Sequence, residues 1–207
     1  MKHLPALRLL AAALFLVPAF AARADDWKPE AGFISLFNGK DLTGWCFREK
    51  TDKAATQAGA VTASFDGKTE SNDNSRYTAG DGVLTVNPPK DLPRLVAQIW
   101  TKQEFPKNFV LKIEFRAAVN ADSGIFIRKP QLQCRDYLVA GPYKELKAYK
   151  PQEWNQIEVT VKDGVAHCTC NGEVLEDALK VPETGPIGLE ADRGQMEYRH
   201  IQLKELP

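Results

Sequence analysis

Phe109-Val110-Leu111-Lys112-Ile113-Glu114-Phe115-Arg116 is the stretch that decides the fold. Phe109, Leu111, Ile113 and Phe115 fall at every second position, and Lys112, Glu114 and Arg116 fill the places between. Successive side chains of a strand point to opposite faces, so this pattern buries one face and wets the other. Ile157 to Lys162 repeats it, and Asp163-Gly164 follows as a hairpin turn before Val165 to Cys170. Asn171-Gly172 is a second such turn, leading to Val174-Leu175. Both dipeptides suit two-residue turns, whose central residues need positive φ.

Gly80 to Val86, Leu95 to Trp100, Gly124 to Arg128, Ile187 to Glu190 and Met196 to Leu203 add further strands. The total is about a dozen short strands separated by turn residues. No segment carries a long apolar stripe of helical period with caps. The expected fold is all-β: two packed antiparallel sheets, a β-sandwich or jelly roll. Residues 50–79 are rich in small polar residues with few apolar anchors and read as a long loop, with one weak strand near Val61 to Phe65. Residues 139–151 read as a second loop whose tyrosines lie at a functional rim. Trp45, Trp100 and Trp154 sit in or beside apolar strands and are expected in the core.

The chain has 207 residues, with 27 Lys+Arg against 27 Asp+Glu. That length suits one domain, and a hydrophobic fraction of 43% excludes wholesale disorder. Zero formal charge excludes a strongly basic nucleic-acid binder. Lys2 and Arg8, the apolar run Leu9 to Phe20, and Ala22-Arg23-Ala24 form the pattern of a secretion signal. The run falls short of the ~20 residues of a membrane helix. Cleavage after Ala24 divides the chain into a signal peptide, 1–24, and a domain, 25–207, of net charge −3, secreted or periplasmic. Cys46, Cys134, Cys168 and Cys170 suit an oxidising compartment as structural thiols or disulfides. Cys168 and Cys170 share a strand face and are not expected to pair with each other. Their spacing is poor for zinc, and no metal site is assigned.

Gly32-Phe-Ile-Ser-Leu-Phe-Asn-Gly-Lys-Asp-Leu-Thr-Gly-Trp45 resembles the opening signature of the 3-keto-disaccharide hydrolase domain family. Further matches run in the family's order through Gly82-Val-Leu, Asp122-Ser-Gly-Ile-Phe-Ile-Arg128, Glu153-Trp-Asn155, Asn171-Gly172, Gly185-Pro-Ile-Gly-Leu-Glu190 and Glu197-Tyr-Arg-His-Ile201. The resemblance implies a concanavalin-like sandwich, bacterial export and action on glycosides already oxidised to a ketone at C3. Such a ketone acidifies the C2 proton. A base removes it, the leaving group departs from C1, and water adds back. This needs a general base and a cation or donor set for the enolate oxygen. No cofactor is assigned, and a divalent metal such as calcium is the alternative electrophile.

The base candidates are Glu190, Asp192 and Glu197, all in the charged C-terminal block. Arg128 ends the Ser-Gly-Ile-Phe-Ile-Arg strand and, by alternation, shares a face with Gly124 and Phe126, where it could clamp the enolate oxygen. Gln133 and Arg135 alternate away from Leu132 and Cys134 and are candidate sugar-binding groups, as are Arg199, His200, Tyr137 and Tyr143. Many relatives carry Glu at the position of Gln131, so this chain departs from the family there. The expected partner is a carbohydrate ligand, with no nucleic acid, no membrane span and a monomeric state. Two other functions fit the same residues: a non-catalytic carbohydrate-binding module with a tyrosine-rich face, and a structural domain docking to another exported protein.

Overall fold

The computed structural model describes residues 26–207 apart from 52–58, 91–94, 137 and 140. Fourteen strands run through the described residues: β1 (Ile34–Ser35), β2 (Trp45–Arg48), β3 (Val61–Ser64), β4 (Tyr77–Gly80), β5 (Val83–Val86), β6 (Ala97–Thr101), β7 (Phe109–Ala117), β8 (Asp122–Ile127), β9 (Gln131–Arg135), β10 (Asn155–Lys162), β11 (Val165–Cys170), β12 (Glu173–Lys180), β13 (Ile187–Ala191) and β14 (Met196–Glu205). They form an eight-stranded sheet in the order β12-β11-β10-β7-β14-β5-β4, with β1 added to β14, and a six-stranded sheet in the order β3-β2-β6-β13-β8-β9. The expected all-β sandwich is the observed fold. The helical element among the described residues is one short 3-10 turn, Pro142–Lys144.

The deciding stretch is β7, and its alternation is literal. Phe109, Leu111, Ile113 and Phe115 are fully buried. They join one cluster with Ile125, Ile127, Ile187 and Leu189 of the other sheet. Each such side chain withdrawn from water contributes about 1.5–3 kcal/mol, which is what joins the two layers. The hairpin turns also follow from the residues: Asp163 and Gly164 have φ of 51° and 78°, and Asn171 and Gly172 have 49° and 85°. Asp81 and Gly82, at 50° and 81°, make a third turn of this kind between β4 and β5.

Several expectations are corrected. The strand expected near Val61 to Phe65 is β3, but residues 50–79 are not otherwise a loop: β4 begins at Tyr77, and Phe65 and Tyr77 are fully buried core residues. Tyr143 and Tyr149 are not at a rim: they turn inward and pack on Phe115 at ring distances of 5.9 and 6.3 Å. Trp45 lies in the core, but Trp100 is buried with Cys46 and Phe126 in a separate cluster on the outer face of the six-stranded sheet. Trp154 lies outside the eight-stranded sheet, over Arg116 and Arg199. All four cysteines are buried and free. Burial pushes the Cys168 and Cys170 thiols up to about 12, so neither supplies a thiolate near neutral pH. The expected signal peptide lies outside the described residues. Among the described residues no helix is long and apolar enough to cross a membrane.

Candidate functional site

The outer face of the six-stranded sheet gathers polar groups from β6, β13, β8 and β9. Glu190 stands opposite Gln98, Gly124 opposite Gln133, Phe126 opposite Gln131, and Asp122 opposite Arg135. Gly188 lies between Trp100 and Phe126. Two glycines make room on this face. A β-carbon at Gly188 would come 2.6 Å from the Trp100 ring, which therefore lies across β13. At Gly124 it would come 2.0 Å from Gln131 Nε2, so Gln131 crosses β8 through the space that the glycine leaves.

That crossing lets Gln131 reach a carboxylate two strands away. Gln131 Nε2 donates to Glu190 Oε2 at 2.5 Å, and Gln133 Nε2 donates to Gln131 Oε1 at 3.0 Å. Asp122 is ion-paired with Arg135, Oδ1 to Nε at 3.1 Å, and lies 4.0 Å from Arg193 Nη2. The strand next to Glu190 is bulged: from Leu189↔Ile125 to Arg193↔Asp122, this strand advances four residues while β8 advances three. Extra residues of this kind re-aim neighbouring side chains, and they recur beside functional sites.

The core holds these strands from behind. Tyr77 Oη donates to the Leu189 carbonyl at 3.0 Å, and Tyr143 Oη donates to the Gln133 carbonyl at 2.7 Å. Ser123 Oγ donates to the Glu190 carbonyl at 2.6 Å and shares a hydrogen bond with Tyr198 Oη at 2.8 Å. Burial holds all three tyrosines well above the ordinary phenol range, so they stay protonated and can donate. Each hydroxyl satisfies a group that the sandwich removes from water.

The residues expected to form one site divide among several places. Glu190, Gln133 and Arg135 share the face just described. Asp192 follows Glu190 but its residue is only 3% exposed, and its carbonyl accepts Arg76 Nη2 at 3.4 Å. Glu197, Arg199 and His200 lie on the outside of the other sheet. There Glu197 takes Arg116 Nε at 2.5 Å, and Arg199 Nε donates to Glu114 at 2.7 Å. The register of β14 shifts between Arg199 and Gln202, and His200 takes a φ of 52°. This brings His200 Nδ1 to 3.3 Å from Glu114 Oε1 and stacks its ring on Trp27 at 4.7 Å, beside a pocket of about 200 Å³.

Arg128 also departs from the alternation reading. Its φ of 65° breaks the strand twofold, and the guanidinium turns away from Gly124 and Phe126. It donates to the carbonyls of Pro182 at 2.6 Å and Lys107 at 2.7 Å, over the Phe109 ring. This is a staple between loops, not a clamp beside Glu190. Tyr143 is core, and Tyr137 lies outside the described residues.

Sequence reasoning missed Asp122 and Arg193, and it treated Gln131 only as a departure. A signal was available: Gly124 and Gly188 interrupt otherwise apolar strands, which marks a close approach. Asp122 shares its parity with Gly124. Among the described residues no three His, Cys, Asp or Glu side chains gather as a metal-ligand set.

A family model described as the 3-keto-alpha-glucoside-1,2-lyase-like domain matches residues 32–204. A solved candidate glycosyl hydrolase from Parabacteroides distasonis is 19% identical with a TM-score of 0.60, over 85% of this chain and 95% of its own. A second candidate glycosyl hydrolase from the same organism is 20% identical with a TM-score of 0.50, over 63% of this chain and 90% of its own. At these identities the likeness is one of fold. No curated protein matches the chain closely enough to count as a relative.

Proposed function

The chain belongs to the family of 3-keto-α-glucoside-1,2-lyase-like domains, and from that premise we propose that it is an exported enzyme cleaving the glycosidic bond of 3-keto-glycosides. Family membership supports a carbohydrate-related function, and the chemistry is our reading of the face around Glu190. The observation that carries it is the Glu190 carboxylate, held by an amide on a face that also bears Gln133, Asp122, Arg135 and Arg193.

In this reading Glu190 removes the C2 proton of the bound sugar. The C–H electron pair becomes the enolate of the C3 ketone. The enolate collapses, C1=C2 forms, and the C1–O bond breaks with its pair leaving on the aglycone oxygen, which takes a proton from solvent. Water then adds its oxygen at C1 and releases one proton to solvent, while the Glu190 carboxyl, its proton exchanged with solvent, protonates C2 and is again a carboxylate. Arg135 and Arg193, on the same face, are our candidates to serve the enolate oxygen, and Gln133 suits a sugar hydroxyl. This route does not require the opposed carboxylate pair of ordinary glycosidases. The binding-module alternative rested on tyrosines, and Tyr143 and Tyr149 are turned into the core.

The test is turnover of a 3-keto-disaccharide in D2O by the chain from Asp25 onward. The expected result is release of the aglycone sugar with deuterium incorporated at C2. Saturable binding with neither release nor exchange would leave only the binding module. Export is tested by N-terminal sequencing of the secreted protein, expected to begin at Asp25.

A further inference from the structure

Gln133, Gln131 and Glu190 form a chain of hydrogen bonds whose direction is set by chemistry. An ionised carboxylate has only acceptors, so Gln131 must turn its NH2 group toward Glu190. Its carbonyl is then left to accept from Gln133, as the 3.0 Å contact shows. The two glutamines leave the same strand on the same face, two residues apart, while Glu190 comes from β13. The bridge between them passes over the missing side chain of Gly124, where a β-carbon would come 2.5 Å from Gln131 Cγ and 2.6 Å from its Cδ.

We infer that Gln131 is a positioning residue: oriented by Gln133 and admitted by Gly124, it donates to Glu190 Oε2 and favours the ionised form of that carboxylate. The inference rests on the reading of Glu190 as the base. A donor to the charged form lowers proton affinity, and that holds a base ready near neutral pH. Other charges also act on Glu190. The charged groups around this face are Asp122, Arg135 and Arg193, together with Asp192, whose backbone carbonyl accepts from Arg76. None of them is altered by a change at Gln131, so comparing variants isolates the amide.

The experiment uses the full exported chain and two variants that break the bridge differently. Gln131→Leu removes the donor at similar size. Gly124→Ala keeps every polar group but displaces Gln131. The Glu190 carboxyl is titrated by 13C NMR in glutamate-labelled protein, with Glu190→Gln assigning the signal. Both variants are expected to move the Glu190 midpoint upward by about one pH unit, a tenfold gain in proton affinity. Gln131→Glu is expected to move it further, because two carboxylates in contact share one proton. The acid limb of kcat/KM on a 3-keto-disaccharide should shift by the same amount, with KM little changed. Thermal unfolding of each variant checks that the sheet is intact. An unmoved Glu190 midpoint in both folded single variants overturns the inference, whatever the activity. A moved midpoint in a protein that turns over no 3-keto-glycoside upholds the bridge and sinks the base assignment instead.

Discussion

The two outer faces of the sandwich carry the same residue types at the same alternating positions, yet they are organised differently. On the eight-stranded sheet, Glu197 answers Arg116 and Glu114 answers Arg199 across neighbouring strands, and Trp154 lies over both guanidiniums at 4.7 and 4.1 Å. Acid and base cancel in pairs, as on ordinary exposed sheets. On the six-stranded sheet, Glu190 stands opposite Gln98 and accepts a hydrogen bond from a neutral amide, Gln131. The difference comes from two glycines and a bulge. Gly124 and Gly188 open space above the strands, and the extra residue after Leu189 redirects the chain. Charge alone does not mark a site; the way neighbouring strands gather and steady a carboxylate does.

The largest expected effect separates the two faces directly. Glu190→Gln should lower kcat on a 3-keto-disaccharide by about a thousandfold, within the usual range for loss of a general base. Glu197→Gln should change it less than about threefold, because this carboxylate lies on the opposite face with Arg116. Equal losses in the two variants would erase the functional contrast.

Next comes the space above β13. Gly188→Ala would set a methyl group 2.6 to 2.8 Å from Trp100 ring atoms. It should cost about 1–3 kcal/mol by urea denaturation, the usual penalty for overpacking. An unchanged midpoint would show that the Trp100 ring moves aside freely.

On the paired face, Arg199→Ala should cost no more than about 1 kcal/mol, because its partner is partly exposed and the contact with Trp154 is a surface cation–π pair. A larger loss would make that face a structural network rather than a set of cancelling pairs.

The smallest effect concerns a charge on neither face. Asp66 accepts the Gly44 N–H and the Lys102 ammonium, which together depress its carboxyl from 3.8 to about 2. A depressed value in the fold means that the carboxylate stabilises the native state above the unfolded value. That contribution fades as pH falls from about 4 toward 2. The urea midpoint of Asp66→Asn should therefore lie below that of the unmodified chain at pH 6, and the two should converge near pH 2.

Much of the architecture was legible because its causes are local. Phe109 to Arg116 alternates over eight residues, and Asp163-Gly164 and Asn171-Gly172 carry the positive φ that their turns need. Glu190, Gln133 and Arg135 were correctly turned away from the core by parity. Parity failed at Arg128 and His200, where single residues with φ of 65° and 52° break the twofold rule. Nothing short of coordinates shows that a β-branched or charged residue there would go left-handed, since Gly or Asn is the usual signal. Residues 50–79 misled because two well-buried aromatics, Phe65 and Tyr77, anchor a segment whose average composition is polar.

Strands, turns, the buried faces and the family could be read from residue order alone. Those depend on neighbours one or two positions away, or on a pattern spread along the chain. Which outward-facing residues meet depends on how the strands assemble into sheets. Alternation separates inside from outside for each strand, but a sandwich has two outsides. Glu190 and Glu197 are seven residues apart and both point outward, yet β13 joins the six-stranded sheet and β14 the eight-stranded one. That choice is made by hydrogen bonds to β8 and β7, strands distant in the chain, and the bridge from Gln131 to Glu190 exists only once it is made.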